Sequence, residues 1–129
     1  MEERDLDAFR AAVNDADVGG MAGFQAPFGP EDARRWLTKV SERYENRTAY
    51  VFTGCEIGED DYIGTVWLRD VNLLDGTAEL AIAMDSRHLG AGWGTDAQRT
   101  LLRFAFGTVR LHRVELGVNP DNLRARRSY

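Results

Sequence analysis

Residues 84–95 read Met84-Asp85-Ser86-Arg87-His88-Leu89-Gly90-Ala91-Gly92-Trp93-Gly94-Thr95. Glycines at alternate positions let successive backbone N–H groups converge on one concavity with no Cβ in the way. They also open a helix whose first amides carry partial positive charge. Such a turn is an anion site. Arg87, three residues before the first glycine, adds a full charge and a planar fork that matches a phosphate, so pyrophosphate is the expected guest. Tight-turn geometry alone is the plainer reading of the same glycines. Two other phosphate motifs fit less well. The dinucleotide fingerprint requires glycine where Thr95 stands and a turn directly after the strand, whereas residues 85–89 intervene. The phosphate-loop motif requires a lysine before Ser or Thr, and residues 85–100 contain none.

The elements around this turn follow from periodicity. Leu6, Phe9, Ala12 and Val13 predict a short helix over about 4–14, and Pro30, Glu31 and Asp32 open a second, to about residue 44, with Ala33, Trp36, Leu37, Val40 and Tyr44 on one face. The glycine- and proline-rich stretch between them is expected to be loop. Runs at 49–53 and 62–68 predict a hairpin whose tip is the acidic Glu59-Asp60-Asp61, and Asp75-Gly76 turns the chain into a third strand over 77–84. There Ala78, Leu80, Ile82 and Met84 share one face, and Thr77, Glu79, Ala81 and Ala83 form a lean second face. A helix ending near Gly107, a strand over 111–118 and the first turns of another helix over 123–129 complete the order. The strand, helix and strand at 77–118 form a right-handed β-α-β crossover with parallel pairing, so the expected fold is a single α/β (α+β) domain over 1–129 with a mixed, mostly antiparallel sheet.

Arg87-His88-Leu89-Gly90-Ala91-Gly92 resembles the Q/R-x-x-G-x-G/A signature of the GNAT N-acetyltransferases and stands where that family places it, between a strand and the following helix. Ala78-Glu79-Leu80, Gly94-Thr95-Asp96-Ala97, Leu111-His112-Arg113-Val114-Glu115 and Asn119-Pro120-Asp121-Asn122 are similar to the branch that acetylates protein N-termini, ribosomal proteins included. The similarity covers roughly residues 48–129 and is strong over 77–129.

This resemblance implies a function: transfer of acetyl from acetyl-CoA to a primary amine, above all a protein or peptide N-terminal α-amine, in a direct ternary-complex reaction. Pyrophosphate would rest on the amides around Arg87, His88, Leu89, Gly90, Ala91 and Gly92, extending through Trp93 and Gly94 to Thr95. The pantetheine arm would run beside the backbone of Ile82, Ala83 and Met84, and Asn122 would hydrogen-bond the arm. The lean Ala81 and Ala83 face suits that picture and equally suits close packing of a covering helix. The chemistry needs a proton acceptor for the amine and a donor for the departing thiolate. Glu79 matches the family's base, and Tyr129, seven residues after Asn122, matches its acid. Each has a plainer reading: a solvated strand glutamate, a core-facing tyrosine, a helix N-cap at Asn122. Arg124, Arg126 and Arg127 read better as a solvated helix face than as phosphate ligands. His112 reads as structural, and Cys55 as a small apolar filler rather than a nucleophile.

Composition limits the rivals. The 129 residues carry a formal charge of −5, which argues against a broad nucleic-acid footprint. No apolar run approaches the length of a membrane span, and Met1-Glu2-Glu3-Arg4-Asp5 has no basic lead into an apolar stretch. A single cysteine supplies neither a disulfide framework nor a paired-cysteine zinc site. The expectation is a cytoplasmic enzyme with acetyl-CoA as cosubstrate, no metal, an amine acceptor, and neither nucleic acid nor membrane as partner. Relatives carry a first strand and final strands that this sequence lacks, which predicts an unpaired sheet edge and leaves open a fragment of a longer chain or a homodimer. The alternative function is a non-catalytic acyl-CoA-binding or sensing module.

Overall fold

Amphipathic spacing sets the helical layers of the computed structural model, which describes residues 1–16, 18–58 and 61–129, the side chains of Met21 and Ala22 excepted. Helix α1 (Leu6–Asn14) buries Leu6, Phe9, Ala12 and Val13, the four residues that share its stripe. A short turn of helix, α2 (Gly19–Ala22), follows where loop is expected. Gly19 and Val18 donate to the Asp15 carbonyl, and Gly23 ends the turn at a φ of 82°. Glycine is required here for proximity: a Cβ on Gly19 would lie 1.6 Å from the Val13 carbonyl oxygen. Helix α3 (Pro30–Glu45) starts with proline at its first position, and Asp32 Oδ2 accepts the Gly29 N–H at 2.9 Å.

Strands β1 (Tyr50–Cys55), β2 (Tyr62–Asn72) and β3 (Thr77–Met84) form an antiparallel meander, and β4 (Arg113–Glu115) joins β3 in parallel. The sheet order is β1-β2-β3-β4, with helix α4 (Trp93–Gly107) making the crossover from β3 to β4. Helix α5 (Leu123–Ser128) closes the chain. β1 has a neighbour on one side only. The hairpin tip residues Glu59 and Asp60 lie outside the described residues.

Helices cover both faces of the sheet. On one side Val66, Leu68, Ala78 and Leu80 pack against Leu101 and Ala105 of α4 and against Leu111. On the other, Trp67 and Ala83 pack under α1 with Phe9, Ala12 and Val13. Phe9 stacks on Trp36 of α3 with ring centroids 4.4 Å apart, and Phe24 meets both Trp36 and Trp67 edge-on. β2 is therefore buried along residues 62–68 without a break, as a strand between two helical layers must be. The lean face of β3 is explained the same way. Ala83 is 1% exposed, with Ala81 packed beside it, because small side chains let α1 approach the strand. The covering-helix reading of that face is the correct one.

Candidate functional site

β3 and β4 stay paired for only three residues, Thr77 with Arg113, Ala78 with Val114 and Glu79 with Glu115. The strand expected over 111–118 is thus far shorter. Beyond Glu79 the two chains part, and residues 80–84 keep β2 on one edge and, among the described residues, no strand on the other. Their outward N–H and C=O groups are left as an unfilled ladder position. The gap is a cavity of about 310 Å³, with Ile82 and Met84 on one wall and Gly117 and Val118 on the other. Its remaining walls come from the glycine turn and the first turns of α4, from α5 and the residues on either side of it, and from Val18.

The glycine turn forms one end of the cavity. Gly90 and Gly92 lie in the left-handed region, at φ 81° and 87°, and Gly92 is the N-cap of α4. A Cβ built on either meets no atom within 4 Å, so both positions face open space rather than packed protein. The bend at Gly92 starts α4 at the cavity wall, and a helix start so placed suits a phosphate. Gly94 differs. Its Cβ would rest 3.8 Å from Ile82 Cδ1 and from Met84 Cγ, an ordinary contact that brings α4 close over β3.

Not every residue expected at the site reaches it. His88, Leu89, Gly90, Gly92, Gly94, Thr95, Ile82, Met84, Asn122 and Tyr129 line the cavity. Arg87 does not. Its Nε donates to Asp85 Oδ1 at 3.0 Å, and its Nη2 lies 2.8 Å from Asp85 Oδ2 and 3.4 Å from Asp61 Oδ1. The guanidinium holds the Asp85 carboxyl below the usual carboxylate range, and its own charge is committed to two carboxylates rather than offered to a guest. His88 sits between the same acids, Nε2 3.6 Å from Asp61 Oδ2, while its buried Nδ1 has no hydrogen-bond partner among the described residues. Ala91 is absent from the cavity lining, Trp93 lines a different cavity, and the Ala83 side chain is turned into the α1 core.

Glu79 stands in a charged row across the sheet, opposite Arg69 of β2 and Glu115 of β4. Arg69 Nη2 donates to Glu79 Oε1, which raises the affinity of the guanidinium for its proton. Oε2 has no hydrogen-bond partner among the described residues. The carboxylate is not part of the cavity lining, but it lies close to the far wall at Gly117, where a Cβ would be 3.9 Å from Oε1. Tyr129 is on the wall, and burial pushes its phenol above the ordinary value, which favours the protonated form a donor needs. Asn122 caps α5 with Oδ1 accepting the Ala125 N–H at 3.0 Å, so its cap role and its place on the cavity wall coexist.

The structure also promotes residues set aside on sequence grounds. Arg124 and Arg127 are exposed, as a solvated helix face requires, and both also line the cavity, with no ion-pair partner among the described residues. The signal was present: a short segment with three arginines and no acid, directed back at a glycine turn. A second, more apolar cavity of about 450 Å³ lies between α4 and the β1–β2 hairpin, with Met84 common to both. Cys55 is exposed on its rim and is no core filler. Among the described residues no group of three His, Cys, Asp or Glu is arranged to hold a metal ion, and no helix is long and apolar enough to cross a membrane.

Comparison with known proteins gives a consistent result. The model of the acetyltransferase (GNAT) domain matches residues 1–129. The probable N-acetyltransferase YjcK of Bacillus subtilis (strain 168) is 36% identical over 100 residues, 75% of this chain and 54% of that protein, so the chain spans about half the length of this relative. The uncharacterized N-acetyltransferase p20 of Bacillus licheniformis is 30% identical over 122 residues, 95% of this chain and 68% of the relative. Among solved structures, spermidine N-acetyltransferase from Vibrio cholerae in complex with CoA and spermine superposes with a TM-score of 0.85 at 22% identity, over 100% of this chain and 74% of that one. A candidate ribosomal-protein-serine acetyltransferase from Vibrio cholerae superposes with a TM-score of 0.79 at 17% identity, over 99% and 72%.

Proposed function

We propose a direct acetyl transfer for this chain, which belongs to the GNAT acetyltransferase family: acetyl passes from acetyl-CoA to a primary amine, in a cytoplasmic setting. The observation that carries this reading is one cavity that joins a glycine-bent helix N-terminus, an unpaired strand edge and Tyr129, which is 44% exposed. Acetyl-CoA supplies an activated thioester and a good leaving group. The chain's own residues supply the rest. The amides at 90–95 hold pyrophosphate, with Arg124 and Arg127 as counter-charges. The free edge at 80–84 offers main-chain hydrogen bonds to an amide-bearing arm laid along it, the same interaction that adds a strand to a sheet.

Two proton transfers accompany the exchange. Glu79, directly or through a water, takes the proton that makes the acceptor amine neutral, with Oε2 as the accepting atom and Oε1 anchored on Arg69. Tyr129 Oη gives its proton to the departing sulfur as the C–N bond forms and the C–S bond breaks, and the proton shed by the acylated nitrogen returns to the tyrosinate, leaving an amide and a free thiol. The finer reading of the acceptor is a protein or peptide N-terminal α-amine, supported by the sequence likeness over 77–129. Polyamines join the acceptor panel because a structural relative is named for them. A second reading, acyl-CoA binding without turnover, draws on the commitment of Glu79 to Arg69 and its place outside the cavity lining.

The test is calorimetry with CoA, followed by acceptor-dependent release of free thiol with N-terminal peptides and polyamines, on the wild-type and Glu79→Gln proteins across pH. The proposal expects CoA binding, amine-dependent release, and a Glu79→Gln loss of roughly 10²-fold or more that shrinks as pH rises and the amine neutralises itself. CoA binding with no release for any amine would leave the sensing reading. Absence of CoA binding would remove both.

A further inference from the structure

Helix α5 places Arg124, Ala125, Arg127 and Ser128 on the cavity wall and has little to hold it there. None of its residues is buried, and neither apolar core includes any of them. Its arginines have no acidic neighbour within the segment to offset them. Something else must fix its last turn.

That fixture is a three-residue hydrogen-bond cluster. Ser128 Oγ accepts from Gln98 Nε2 at 3.1 Å and shares a second bond of 3.1 Å with Thr95 Oγ1. Gln98 and Thr95 are on the first turns of α4, the helix whose N-terminus forms the glycine end of the cavity. Gln98 is 7% exposed, and a buried amide must find a partner or lose the solvation it gave up. A hydroxyl that both accepts and donates is the group that can satisfy an amide and a threonine at once. Ser128 is followed directly by Tyr129, whose N–H in turn bonds the Ala125 carbonyl at 3.1 Å.

We propose that Ser128 is a positioning residue, fastened by Thr95 and Gln98, that sets Tyr129 and Arg127 on the cavity wall. Its consequence for catalysis rests on the reading of Tyr129 as proton donor; its consequence for the placement of the tyrosine does not. The cluster ties the reactive end of the cavity to the phosphate end through α4, so the two sides of the guest are held in one frame. It also explains a polar residue at position 98, on the buried side of an otherwise apolar helix face.

The test has two independent arms. In the first, tyrosines are labelled with ¹³C at Cζ and titrated by NMR, with Tyr129→Phe identifying the resonance. In Ser128→Ala the phenol of Tyr129 is expected to titrate at lower pH than in the wild type, towards the ordinary value of about 10, and Ser128→Thr is expected to restore the wild-type midpoint. Tyr62, buried and bonded to Thr65 in the opposite layer, reports whether the fold survives. An unmoved Tyr129 midpoint in a Ser128→Ala protein with an unmoved Tyr62 overturns the proposal. In the second arm, turnover at saturating acetyl-CoA is expected to fall on the order of 10- to 100-fold in Ser128→Ala, with no further loss when the change is made in Tyr129→Phe. Losses that multiply overturn positioning through Tyr129. A wild-type protein with no turnover at all refutes the transfer reading alone, since the titration still decides where Ser128 places the ring.

Discussion

Replacing Gly92 with alanine separates what the glycine turn does for the fold from what it does for a ligand. Gly92 has φ 87° and ψ −9°, and a left-handed alanine costs about 1–2 kcal/mol. About 0.4–1 kcal/mol is returned, because alanine restricts the unfolded chain more than glycine does. No protein atom lies within 4 Å of the new methyl, so no clash adds to the difference. The net loss is about 0–1.6 kcal/mol, or no more than roughly 7 °C in Tm for a domain of this size. The cavity pays far more. A methyl in front of the first amides of α4 removes one charge-assisted hydrogen bond, worth about 1.5–3 kcal/mol, so CoA affinity is expected to fall roughly 10- to 150-fold. Calorimetry with CoA and with phosphate-free pantetheine, beside thermal melts, reads the two effects apart. Pantetheine affinity should hardly change. If the melt shifts as computed while CoA binds as tightly as to the wild type, the turn is architectural and the phosphate assignment is wrong.

Gly64 is a steric glycine: its Cβ would sit 2.8 Å from the Ala83 carbonyl oxygen and 2.8 Å from Met84 Sδ. Gly64→Ala is therefore expected to cost about 1–3 kcal/mol in urea unfolding, by forcing β2 and β3 apart. Because Arg87 is bound by Asp85 and Asp61 whereas Arg124 and Arg127 line the cavity, Arg87→Ala should change CoA affinity by less than about threefold. Arg127→Ala should cost roughly tenfold at low salt and less at high salt; the reverse ranking would restore Arg87 as the phosphate ligand. Burial raises the Tyr62 phenol well above its ordinary value. Above about pH 10 the unfolded chain then ionises while the folded one keeps the proton, and stability falls by up to about 1.4 kcal/mol per pH unit until the folded group titrates too. Tyr62→Phe should lessen that alkaline slope, leaving the part due to Tyr129, measured by unfolding between pH 9 and 12.

Much of this was legible because period and punctuation coincide. Leu6, Phe9, Ala12 and Val13 declare their helix, the alternation at 77–84 gives β3 with its true ends, and the glycines at 90–94 mark the turn. Two kinds of information were not. The first is how far a strand stays paired: residues 111–118 look uniformly strand-like, yet β4 ends at Glu115, because pairing depends on where the partner chain goes and not on propensity. The second is where a long charged side chain turns. Arg87 precedes the glycines in the order a phosphate ligand would, but Asp85 is two residues away and the hairpin brings Asp61 alongside, a neighbour separated by 26 positions. Ser128 was invisible for the same reason, since its partners lie 33 and 30 residues back.

The parting of β3 from β4 has a mechanical corollary. A sheet normally transmits order from strand to strand through its ladder, and here the transmission stops after three pairs. The segment from Arg113 onward is therefore hinged to the body at one end, by those pairs and by His112 and Arg113 bonding the Gly76 carbonyl, and latched at the other by Ser128. A guest spanning the opening would act as the missing rung and add the continuity that the backbone leaves out. Amides after Glu115 should accordingly exchange their hydrogens faster than those of β2 in the empty protein, and slow markedly when CoA is bound.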